Sequence, residues 1–152
     1  MKNIKELKKL IDKVSSRQLF AVLATSCKNQ PYTSLVAFAL TEDLKKLVFI
    51  TPRDTRKFHY LSENNLVSLM IDNSENQKVD ITQAVGITIT GKSRDSAGEE
   101  KEKLLKTFIS KHPQMEGFAL SRGCSVVSVD INRYDVVERF QNVSVLEFDS
   151  NS

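Results

Sequence analysis

Cysteine is scarce in this chain of 152 residues: Cys27 and Cys124 are the only two, and no Cys-x-x-Cys spacing occurs. That excludes a zinc ribbon and a disulfide framework. Each cysteine stands at the end of an expected strand and reads as a small buried hydrophobe. Histidine is equally rare, with only His59 and His112. No Ser-His-Asp set and no His/carboxylate cluster assembles from them, no glycine-rich phosphate loop is present, and no metal is expected. Long apolar runs are missing as well. None approaches the roughly 18 residues of a membrane helix. The opening Met-Lys-Asn-Ile-Lys-Glu-Leu-Lys-Lys-Leu lacks the continuous apolar core of a signal peptide. These absences predict a cytoplasmic protein with no membrane partner. The net charge of +3 is too small to argue for a nucleic-acid partner. No repeat, low-complexity tract or linker interrupts the chain. We therefore expect one domain over residues 1–152, with a helix in 1–14 and a frayed tail over 149–152.

What is present is mostly strand. Ile4, Leu7, Ile11 and Val14 recur at helical spacing with lysines between them, an amphipathic first helix with a solvated basic face. Residues 19–25 form a nearly continuous apolar run, followed by Lys28-Asn29-Gln30-Pro31, which is turn chemistry. Residues 32–40 and 47–51 read as two further strands. Short strands joined by tight turns must be antiparallel, since parallel pairs need long crossovers. Asp54 or Thr55 suits the N-cap of a short helix through Ser62. Residues 66–71 form a fourth strand, and 72–78 a polar loop. Val85, Ile87 and Ile89 alternate with Gly86, Thr88 and Thr90, after which Gly91 marks a bulge or a close backbone approach. Residues 98–111 form a second amphipathic helix, stopped by His112-Pro113. A strand over 127–132 and a strand or strand pair over 135–148 complete the chain. The expected fold class is mainly β (α+β): an antiparallel barrel of six to seven strands with flanking helices, because closure removes exposed edges.

Chemistry concentrates in residues 48–57, Val-Phe-Ile-Thr-Pro-Arg-Asp-Thr-Arg-Lys. A strand ends, hydroxyls appear at Thr51 and Thr55, and Arg56-Lys57 opens a helix. The first N–H groups of a helix have no intrahelical partner, and its dipole puts partial positive charge there. Arg56 offers a bidentate fork and Lys57 a point charge, and both suit a phosphate. An ordinary capped helix with solvated basic residues fits the same spacing.

The stretch resembles the flavin-phosphate segment of the pyridoxamine 5′-phosphate oxidase-like, FMN-binding split-barrel family. There a strand ending in an aromatic or aliphatic residue plus Thr is followed, after a three-residue gap, by Ser/Thr-Arg-Lys. Here Ile50-Thr51, Pro52-Arg53-Asp54 and Thr55-Arg56-Lys57 stand in that order. Asn64-Asn65-Leu66-Val67-Ser68-Leu69 resembles the family's Asn-Pro-x-Val-Ser-Leu, and Ile89-Thr90-Gly91-Lys92-Ser93 its strand ending in Gly-Lys-Ala. The resemblance covers roughly residues 15–148 and implies a split-barrel homodimer with FMN at the subunit interface. It implies that Ile50, Thr51, Thr55, Arg56 and Lys57 contact the phosphate and ribityl chain. Ser34, Leu35, Val36 and Ala37 would line the isoalloxazine ring. The family's flavin-contacting glutamine, placed with a gap, is Gln83. The implied activity is an oxidoreductase passing electrons from a reduced nicotinamide or similar donor to a small acceptor. The alternative is a split barrel that holds haem or a deazaflavin and serves binding or sensing. Two departures matter. The second strand opens Tyr32-Thr33-Ser34-Leu35, without the oxidase's phosphate-binding Arg, and no Arg or His follows Arg139. The second departure predicts that pyridoxine phosphate is not the substrate. No aromatic wall for a flavin ring is legible beside the phosphate residues, so the expected dimer partner would supply it.

Overall fold

The structure, a computed structural model, describes residues 2–149. The expected fraying of the tail lies outside the described residues except at Asp149. The N-terminal helix α1 (Ile4–Arg17) starts where Asn3 caps it, its side chain accepting from the Glu6 N–H at 2.9 Å. It ends three residues beyond the expected 1–14. Leu7, Ile11 and Val14 are buried against the barrel, whereas Ile4 is exposed.

Seven strands follow: β1 (Phe20–Cys27), β2 (Gln30–Leu40), β3 (Lys46–Pro52), β4 (Leu66–Asp72), β5 (Val85–Asp95), β6 (Cys124–Glu138) and β7 (Asn142–Glu147). They lie in the order β3-β2-β1-β4-β5-β6-β7, every neighbour antiparallel, and β3 also pairs with β6. Six strands thus close a barrel, and β7 extends β6 outside it. Alternation along each strand sends one set of side chains inward. Leu23, Phe38, Phe49, Ile87, Ile89 and Val129 fill the interior. Tyr134 is buried among them, and its hydroxyl donates to the Leu44 carbonyl at 2.7 Å.

The helices cover parts of the outside. α2 (Arg56–Glu63) follows β3 directly, with Thr55 as its cap. A short α3 (Asp80–Gln83), not expected from the sequence, stands between the polar loop of 72–78 and β5. α4 (Gly98–Lys111) spans the predicted residues and packs Leu104, Leu105 and Phe108 on Val48, Ile50 and Val126, the outward side chains of β3 and β6. His112 ends α4 and is fully buried. Its Nε2 lies 2.8 Å from the Phe38 carbonyl, and its ring packs on Phe108. A 3-10 turn (Pro113–Met115) and α5 (Glu116–Ala119) fold the chain back to β6. At Gly91 the β5–β6 register shifts, and a Cβ there would stand 2.3 Å from the Asp130 carbonyl oxygen. Bulge and close approach therefore coincide, and β5 runs on to Asp95. The expected break between residues 132 and 135 is absent, because β6 continues through it.

Candidate functional site

The β3–α2 junction folds around two hydroxyls. Thr55 accepts from the Phe58 N–H at 3.3 Å and donates to the Pro52 carbonyl at 2.9 Å, which fixes the helix start. Thr51 is fully buried, its Oγ1 lying 3.1 Å from that of Thr55. Lys57 Nζ reaches over the pair and donates to Thr51 Oγ1 at 3.5 Å. The first turn of α2 contains no acidic residue, so nothing within it offsets the positive end of the helix dipole.

The three basic residues of the segment do different work. Lys57 points back over the hydroxyls. Arg56 is exposed, with its guanidinium 5.2 Å from the Tyr32 ring centroid, a cation–π contact. Arg53 is fully engaged elsewhere. It donates to the Cys124 carbonyl at 2.8 Å, pairs with Asp95 at 3.0 Å and lies against the Phe58 ring. Ser125 donates to the same Asp95 at 2.6 Å. Arg53 therefore staples the turn to β5 and β6.

Beside Lys57 opens a groove of about 250 Å³ on the outside of the barrel. Leu35, Val36 and Ala37 of β2 and Ile50 of β3 line it. Phe20, from the start of β1, and Phe108, from α4, form further walls. Met115 and Phe118, from the turn and helix after α4, close another side. Those four residues are what the sequence reading missed, three of them phenylalanines. Phe20 was detectable as an outward residue of β1. Phe118 has no local signature, since only the reversal after Pro113 carries it back.

Other predicted site residues stand apart from the groove. Ser34 shares the inward face of β2 with Val36 and Phe38, and its hydroxyl is buried without a hydrogen-bond partner. Thr51 is covered by Thr55 and Lys57, so its hydroxyl positions those two. Gln83 lies at the end of α3 and lines a different hollow, of about 450 Å³, with Leu10, Val14 and Arg17 of α1. A single chain does not bring it to Lys57. Among the described residues, no group of three or more His, Cys, Asp or Glu could hold a metal ion, and no helix is long and apolar enough to cross a membrane.

The groove fits an elongated molecule with a flat apolar body and an anionic end. The body would lie on Leu35, Ala37 and Ile50, and the anion would meet Lys57 and the free N–H groups of α2. A volume of about 250 Å³ is below the usual range for a site that encloses such a ligand, roughly 300–1,000 Å³. One side of the ligand would remain uncovered by this chain.

A family model described as pyridoxamine 5′-phosphate oxidase matches residues 5–138. No curated protein matches the sequence significantly. Among solved structures, a haem-binding protein from Mycobacterium smegmatis superposes with a TM-score of 0.81 at 13% identity, over 92% of this chain and 57% of that one. Campylobacter jejuni ChuZ gives 0.79 at 13%, over 97% and 61%. An FAD-binding protein from Mesorhizobium loti gives 0.63 at 20%, over 83% and 90%. The chain thus spans only about three-fifths of the first two. At these identities the likeness concerns the fold.

Proposed function

The chain belongs to the pyridoxamine 5′-phosphate oxidase family, and from that premise we propose that it is an FMN-binding flavoprotein acting as an oxidoreductase. The observation that carries this reading is the placing of Lys57, Thr55 and the start of α2 at one end of an apolar groove. A phosphate at that end would take a charge-assisted hydrogen bond from Lys57 and backbone N–H groups of α2. Arg56 would join by leaving the Tyr32 ring. Leu35, Ala37 and Ile50 would support the ring, with Phe20 and Phe118 beside it. FMN, when bound, supplies two-electron transfer from a reduced nicotinamide or similar donor to a small acceptor. The protein's own residues bind it, orient it and keep water from one face. We further propose a homodimer in which the second subunit covers the side of the groove left open.

The mycobacterial neighbour's haem supports a second reading, in which the chain binds haem. The histidines oppose it. His112 is held by the Phe38 carbonyl and Phe108, and His59 is exposed on α2 outside the groove lining. A visible spectrum of the purified protein, with mass spectrometry of the released ligand, separates the readings. Yellow protein releasing FMN supports the first, red-brown protein releasing haem replaces it, and a released deazaflavin replaces FMN as the cofactor. In a fluorescence titration FMN should bind more tightly than riboflavin, which lacks the phosphate. Equal affinities would remove the role of the Lys57 end.

A further inference from the structure

Next to the anion end stand two aromatic rings that FMN is too short to use. Tyr32, near the start of β2, and Tyr60, one turn along α2 from Arg56, are both half-buried. Their ring centroids lie 5.6 Å apart, with the planes tilted by 56°. The exposed Arg56 guanidinium stands 5.2 Å from the Tyr32 centroid. Among the described residues, no carboxylate pairs with Arg56. Lys57, its neighbour in sequence, already stands over Thr51 and Thr55. Rings and anion end are therefore continuous, with Arg56 as the link. An anion at Lys57 that draws Arg56 towards itself uncovers the face of Tyr32 that the guanidinium now shields.

We propose that this face is an adenine site, so that the groove holds FAD more tightly than FMN. The inference rests on the flavin reading of the groove and carries it past the phosphate. FAD contains FMN whole, so Lys57, Leu35, Ala37 and Ile50 keep the roles given above. The second phosphate falls to Arg56, whose planar fork can take oxygens from both phosphates. That guanidinium starts from the Tyr32 ring, so an adenosine joined to the phosphate it binds comes within reach of Tyr32 and Tyr60. A flat base then replaces a flat cation on the ring. Stacking of a base on an aromatic side chain strengthens binding by roughly 5- to 150-fold. FAD must first part its adenine from its own flavin ring, which offsets some of this and leaves a gain on the order of tenfold.

The test is fluorescence titration of the flavin-free chain with FMN and with FAD, for the wild type, Tyr32→Phe and Tyr32→Leu. Phenylalanine keeps the ring, and leucine keeps the apolar bulk without it. The wild type and Tyr32→Phe should bind FAD on the order of tenfold more tightly than FMN. Tyr32→Leu should bind the two alike. Its FMN affinity should equal that of the wild type or exceed it by up to about fivefold, because Arg56 no longer gives up a ring contact. Tyr60→Leu should narrow the gap between the two flavins in the same direction. A wild type that binds FMN and FAD equally would overturn the adenine site alone, whereas one that binds neither would overturn the flavin reading with it. A preference for FAD that survives in Tyr32→Leu would also overturn the proposal, since the adenine would then rest elsewhere. So would an equal loss of both flavins in that variant, because the ring would then serve only the fold.

Discussion

Lys57 and Arg56 are neighbours in sequence, yet the structure prepares them differently for an anion. Lys57 already stands over Thr51 and Thr55 at the groove's end. Arg56 must first give up its contact with Tyr32, worth roughly 0.5–1 kcal/mol at an exposed site. A charge-assisted hydrogen bond contributes roughly 1.5–3 kcal/mol. Lys57→Ala should therefore weaken FMN binding by roughly 10- to 100-fold, and Arg56→Ala by less. Arg53→Ala should leave affinity within about twofold, since its guanidinium serves Asp95 and the Cys124 carbonyl. Both partners of that ion pair are partly exposed, so the stability loss should be about 1 kcal/mol after screening, a melting shift of roughly 2–4 °C. Flavin titration and flavin-free melting of the three variants check the ranking. Lys57→Ala binding FMN like the wild type would refute the anion site. The Thr55-Arg56-Lys57 end of the site was legible because capping is a local code that three or four residues carry. Arg53's engagement was not, since its partner Asp95 is 42 residues away.

Elements were legible where their pattern is periodic. α4 matches its expected bounds because Leu104, Leu105 and Phe108 repeat at helical spacing. α3 and α5 were missed because four residues are too few for a period to register. The bulge in β5 was legible at Gly91 because a glycine inside an alternating strand marks a register shift or a close backbone approach. Gly91→Ala tests the close approach there. The Asp130 carbonyl cannot withdraw without loosening the β5–β6 ladder, so the cost should be about 3 kcal/mol, at the upper end for overpacking. Chemical denaturation measures it, and a loss under about 0.5 kcal/mol would contradict the geometry.

The attachment of α4 to the barrel carries a pH dependence. Glu100 near the start of α4 accepts from Arg94 of β5 and from Lys46 of β3. The Arg94 hydrogen bond, followed by that of Lys46, holds its carboxyl below the usual carboxylate range, against an opposing push from burial. A carboxyl depressed in the folded state stabilises above its unfolded value, roughly pH 4.3, and that contribution is lost as pH falls through the lower folded value. Arg94 is partly exposed, so the contribution should be under about 1 kcal/mol. Glu100→Gln should lower stability at pH 7 and converge with the wild type as the pH drops below about 4. Parallel melting curves of the two proteins down to pH 3 would show that the clamp is energetically silent.

On the scale of the whole molecule, the groove and the uncovered face of the barrel belong together. Val22 of β1 is registered against Leu35 of β2 on one side and Met70 of β4 on the other. These three side chains are 41%, 64% and 44% exposed, and Phe20, two residues along β1, is 52% exposed. They form an apolar row across three strands. Phe20 and Leu35 belong both to this row and to the groove lining. A second copy laid on the row would therefore also reach the open side of the groove, where a bound ring would still meet water. Exposed apolar groups joined across neighbouring strands mark interaction surfaces more often than scattered ones do. Val22 and Met70 lie outside the groove lining, which makes them clean probes. Val22→Glu combined with Met70→Glu would bury repelling charges at a two-fold contact while adding only solvated ones to a monomer. The wild type should sediment as a dimer, the double variant as a monomer. FMN affinity should fall at least about tenfold in the variant, the equivalent of about 1.4 kcal/mol of lost cover. The variant's flavin-free melting, compared with that of wild type diluted to monomer, should change little, since both side chains already face solvent. A wild-type monomer with full flavin affinity would show that one chain completes the site. A dimeric double variant would place the contact on another face.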